Sequence, residues 1–63
     1  MGKLYKQGRV TARSAEDARE LITKINRDAG HLIVRFIEIE PCPVQPDREL
    51  TWYEYLAEVR ECG

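Results

Sequence analysis

The chain has 63 residues, of which 43% are apolar and 33% charged, with a formal net charge of −1. This length allows a single domain over residues 1–63 and excludes large multi-step enzyme architectures, because a body of about 60 residues hides only about 60% of the surface its unfolded chain exposes. A near-neutral balance also removes the simple argument that a basic protein seeks nucleic acid.

The charges are nevertheless unevenly placed. Residues 1–27 hold seven basic and three acidic side chains, net +4, and residues 28–63 hold three basic and eight acidic, net −5. Such asymmetry fits head-to-tail contact between subunits, a basic face for an acidic partner, or chance in so short a chain.

In chain order, Leu4 to Arg13 places Leu4, Gly8, Val10 and Ala12 on one parity and the more polar Tyr5, Gln7, Arg9, Thr11 and Arg13 on the other. That alternation predicts a half-buried strand. Lys6 is the misfit, and Gly8 permits a bulge or bend that would shorten the strand to Gln7 to Ala12. Next, Ala18, Leu21, Ile22, Ile25 and Ala29 recur at three- and four-residue steps, which predicts a helix from Ser14 to Ala29. Ser14 caps its start, Glu16, Asp17 and Glu20 favour the positive dipole end, and Lys24, Arg27 and Gly30 mark its end.

A second strand is predicted over Leu32 to Glu40. Its apolar residues fall on both parities, with Leu32, Val34 and Phe36 on one and Ile33, Ile37 and Ile39 on the other, so it asks for cover on both faces. Prolines 41, 43 and 46 make Pro41 to Arg48 a connecting loop. The last segment reads as a strand with Tyr53, Tyr55, Ala57 and Val59 on one face, or as a helix capped by Thr51 with a capping box at Glu54. The strand is preferred, because two strands alone make a marginal sheet.

The expected fold class is therefore α+β, a β-α-β-β chain with one helix packed on a three-stranded sheet; the alternative is β-α-β-α. One helix covers one face, which leaves Trp52, Leu56 and part of the second strand for a partner. A second copy of the chain is the economical choice, through a face-to-face sheet contact or edge pairing of strands, and a two-fold dimer is the commonest symmetric solution. Size and element order are similar to those of dodecins, small flavin-storing assemblies. The residues from Ala12 to Ala15 do not carry that family's first turn, and Tyr53 follows Trp52 where a glutamine is expected, so no family is assigned.

No phosphate loop, metal-ligand cluster or catalytic motif is present, and no cofactor is implied. His31 is the only histidine, and a catalytic dyad would need Cys42, Cys62 or Ser14 beside it. The glutamates Glu38 and Glu40, and Glu54 and Glu58, read as a solvated face rather than an acid–base pair. Cys42 and Cys62 lack CxxC spacing and read as free thiols. With no membrane-length apolar run, no signal-like start, and Lys6 where a myristoylation site wants Ser or Thr, the expectation is a cytoplasmic protein without membrane contact.

The function expected from these features is a non-enzymatic interaction module that self-associates and binds a protein partner, with Trp52, Tyr53, Tyr55 and Leu56 as the partner-binding set. One alternative is a nucleic-acid-binding regulator using the basic arm Lys3, Lys6, Arg9 and Arg13, with Tyr5 among its cations. Another is an assembly that carries a small planar cofactor on its aromatic residues.

Overall fold

The helix forms where the apolar spacing places it. In the computed structural model, which describes residues 2–45 and 49–62, helix α1 spans Ala15–Asp28. Ser14 is its N-cap: the hydroxyl accepts a hydrogen bond from the Asp17 amide at 3.1 Å, satisfying one of the free first-turn donors. At the other end Gly30 takes a φ of +88°, where an L side chain is disfavoured, and its N–H donates to the Arg27 carbonyl.

Three strands complete the chain: β1 at Leu4–Ala12, β2 at His31–Pro41 and β3 at Thr51–Glu61. The last segment is thus a strand and not a helix. Its place explains the choice, because the sheet order is β1-β3-β2 and β3 runs antiparallel to both neighbours. β1, α1 and β2 form a split β-α-β unit whose central gap β3 fills. As a helix the segment would leave β1 and β2 without a common neighbour.

Two expectations about the strands are corrected. β1 runs unbroken from Leu4 opposite Val59 to Ala12 opposite Thr51, so Gly8 makes no bulge. Gly8 instead lies under the Tyr55 ring, which a Cβ would meet at 3.3 Å; an aromatic on β3 covers the missing side chain on β1. Lys6, opposite Ala57, stays exposed on the helix side of the strand.

The larger correction concerns β2. Its pairing with β3 slips between Ile33 and Arg35 and again between Phe36 and Glu38, leaving Val34 and Ile37 as extra residues. Each bulge shifts the alternation by one. Ile33, Phe36 and Ile39, spaced by three rather than two, therefore all pack against the core under the helix. The apolar residues on both parities thus come from two bulges, and the opposite face of β2 carries Leu32, Arg35, Glu38 and Glu40.

The core is thin. Eight apolar residues among those described are buried, Val10, Ala12, Ala18, Ile22, Cys42, Tyr53, Ala57 and Val59, and Ile22 is the largest side chain wholly shielded from water. The helix stripe is rotated from its expected centre, with Ile25 45% exposed and Asn26 buried in its place. The Asn26 side-chain amide donates to the Ile22 carbonyl at 2.8 Å and lies 3.4 Å from the Tyr55 hydroxyl, a polar link from α1 to β3. At the edge of the core, the Arg19 guanidinium sits 5.9 Å from the centre of the Phe36 ring.

Candidate interaction face

Pairing in register fixes what the sheet presents on the side away from α1. β3 contributes Trp52, Glu54, Leu56, Glu58 and Arg60; β1 contributes Tyr5, Gln7, Arg9 and Thr11 beside them. Among the described residues no helix or strand packs over this face: α1 meets the sheet from the other side, where Val10, Ala12, Tyr53, Ala57 and Val59 are buried. The protomer is accordingly one sheet and one helix thick, with extents of 41 × 19 × 16 Å.

The predicted partner-binding set is divided by the alternation of β3. Trp52 and Leu56 are half-buried on the open face. Tyr53 is buried beneath the helix and Tyr55 packs on the same core, so both tyrosines hold the protomer together. The aromatic cluster of the sequence is therefore two groups on opposite sides of one sheet.

Trp52 is held by an arrangement that sequence reasoning missed. The Gln45 side chain accepts from the Trp52 N–H at 2.8 Å and donates to the Trp52 carbonyl at 3.1 Å. It also donates to the Cys42 carbonyl at 2.7 Å, while the Cys42 N–H donates to the Trp52 carbonyl at 2.9 Å. A primary amide carries a donor and an acceptor in the geometry of a peptide, so Gln45 continues the ladder of the sheet where the backbone of β2 has turned away. Arg9, Cys42, Val44 and Trp52 border a shallow hollow at this end. The loop residues Pro46 to Arg48 lie outside the described residues.

The basic arm does not assemble into one patch. Lys3 lies 3.8 Å from a Glu58 carboxylate oxygen, and Arg9 sits directly opposite Glu54. Lys6 belongs to the other side of the strand and Arg13 follows its end. Phosphate contacts need cations that act together, and here two of the four already face carboxylates on β3.

The charges across the open face are arranged by end. Among the described strand residues, Glu54 and Glu40 lie toward Trp52, directly opposite one another, with Arg9 on the other side of Glu54, and Glu38 lies in the middle row beside Leu56. Toward Arg60 lie Lys3 and Arg35 around Glu58, whose oxygen accepts from the Arg35 Nε at 3.0 Å.

The remaining candidates are dispersed. His31 pairs with Glu61 near the exposed Cys62, whereas Cys42 is at the far end of β2. Ser14, already the helix cap, is a helix length of about 21 Å from His31. Both cysteines are free, and the described residues contain no group of three or more potential metal ligands. No helix among the described residues is long and apolar enough to cross a membrane. No family model, curated protein or solved structure matches the chain.

Proposed function

We propose that this chain is a small, non-enzymatic interaction module that self-associates through its open sheet face and, once paired, holds a protein partner. The observation that carries the reading is the mismatch between core and surface. The protomer exposes 4884 Å², whereas a compact chain of its 7.3 kDa exposes about 4,200 Å². Its radius of gyration, 12.0 Å, likewise exceeds the value of about 11 Å for a compact domain of this length.

Trp52 and Leu56 are the large apolar side chains that β3 turns to this bare face, and burying them against a second copy would supply the core that one protomer lacks. The exposed apolar residues Val34 and Ile37, at the bulges of β2, and Ile25 on α1 add apolar surface for a protein partner to cover.

Trp52 is the only tryptophan in the chain, so its fluorescence reports on the open face alone. As protein concentration rises, its emission is expected to move to shorter wavelength and its quenching by acrylamide to fall. A spectrum and quenching constant independent of concentration, from the micromolar to the millimolar range, would count against self-association by this face.

A further inference from the structure

We propose that the outer edge of β1 takes up an extended, acidic segment of another protein as a fourth strand of the sheet. This rests on the partner-binding part of the function proposed above and names its surface. An added strand lies in the plane of the sheet, so the open face stays free for a second copy. β1 is bonded on one side only, to β3. In an antiparallel ladder alternate residues turn both N–H and C=O away from the neighbouring strand. No backbone hydrogen bond from a turn, loop or cap among the described residues reaches β1. The edge is also bare above and below: Leu4, Tyr5, Lys6 and Gln7, on alternating faces, are all exposed.

The two edges of the sheet differ in what they offer. β2 slips twice against β3, at Val34 and Ile37, and such bulges twist an edge out of the regular pleat that an incoming strand must match. β1 keeps register over all nine of its residues, from Leu4 to Ala12. A regular exposed edge of that length is a template for strand addition, and its side chains select what is added.

Here the side chains select an acid-bearing strand. Lys3, Lys6, Arg9 and Arg13 stand exposed along β1 and its two ends, and residues 1–15 contain no acid. Glu58 lies 3.8 Å from Lys3, and Glu54 lies opposite Arg9. Lys6 lies opposite Ala57 and Arg13 follows the end of the strand, and neither makes an ion pair among the described residues. The edge therefore keeps an excess of positive charge. The β1 of a second copy would bring the same cations against it in any register, which is unfavourable, whereas an acidic strand brings the opposite charge. Lys3, Lys6 and Arg9 recur at every third residue and so alternate between the two faces. A segment with a carboxylate at every third position sets one beside each of them, whichever way it runs. Leu4 and Tyr5 give apolar contact to the residues between those acids.

The probe is a fluorescent peptide repeating Glu-Val-Thr, long enough to span β1, titrated with the full chain and followed by anisotropy. Saturable binding is expected at low salt, weakened at high salt. Repeating Lys-Val-Thr instead, or N-methylating the amides of the acidic peptide, is expected to weaken binding at least about tenfold, the first through charge and the second through the ladder. Lys6→Glu, at an exposed position, is expected to weaken it about fivefold with an unchanged circular dichroism spectrum. Hydrogen exchange read by NMR is expected to slow at alternate amides of β1 when the peptide is added, with the amides of β2 unchanged.

No saturable binding, binding that ignores charge or N-methylation, or protection that falls on β2 would overturn strand addition at β1. Self-association is read separately, from the dependence of Trp52 emission on concentration, and would survive that result. A wild type monomeric throughout, with alternate β1 amides protected by the peptide, would remove the pairing and keep the edge site.

Discussion

Replacing Ile22 with alanine is expected to remove most of the chain's stability at 25 °C. Among the described residues Ile22 is the largest side chain completely removed from water, and it packs with Val10, Ala12 and Tyr53. Truncating a buried isoleucine costs about 2–5 kcal/mol, through lost transfer energy and the cavity left behind. A domain of this length has a total stability of only about 3–9 kcal/mol, so the loss takes most of the margin. Ile22→Val, which removes a single methylene, is expected to cost about 0.5–1.5 kcal/mol and to remain folded. Urea titrations followed by circular dichroism distinguish the two. If Ile22→Ala shifts the unfolding free energy by less than about 1 kcal/mol, α1 is not seated on the sheet as described.

The second large effect separates assembly from folding. Leu56→Asp is expected to abolish self-association while the protomer keeps its helix and sheet. Leu56 points away from α1, in the middle row of the open face, so an aspartate there remains hydrated in the monomer. In a pair it would be buried without a partner charge, at a cost of several kcal/mol. The expected result is a dissociation constant at least about thirtyfold higher, the scale of a central interface residue. A dissociation constant within threefold of the wild type would place the contact elsewhere. Trp52→Ala is a less clean probe, since Trp52 also borders the Cys42 and Val44 hollow within its own chain.

How much of this was legible in the sequence depends on how local the cause is. The helix bounds followed from Ser14 and Gly30, because caps act on the nearest turn. The strand parity of residues 51–61 followed from the alternation of Tyr53, Tyr55, Ala57 and Val59 with charged neighbours, although a capping box competed for the same residues. Sheet order tipped the balance, and that is a property of the whole chain.

The bulges of β2 were hidden for a related reason. Ile33, Phe36 and Ile39 reach one face only because the ladder slips twice, and slippage is set by the partner strand. Read as a regular strand, the same residues fall on two faces and overstate the apolar area left for a partner. Asn26 continues the four-residue series from Ala18 and Ile22, a signal present in the spacing but masked by its polarity. Gln45 gave no local sign, since its role depends on the Trp52 backbone seven residues away. The split of Trp52 and Leu56 from Tyr53 and Tyr55 was implicit in the strand alternation. Treating the four as one binding set overlooked that a strand shows its side chains by turns.

Cover of the open sheet face by a second copy is tested most directly by the molar mass of the wild-type protein, measured by light scattering on a sizing column over a range of concentrations and at low and high salt. A mass rising from that of one chain to that of two as concentration increases is expected, at low and at high salt, because the contact buries Trp52 and Leu56. A mass of one chain at every concentration and salt would contradict it.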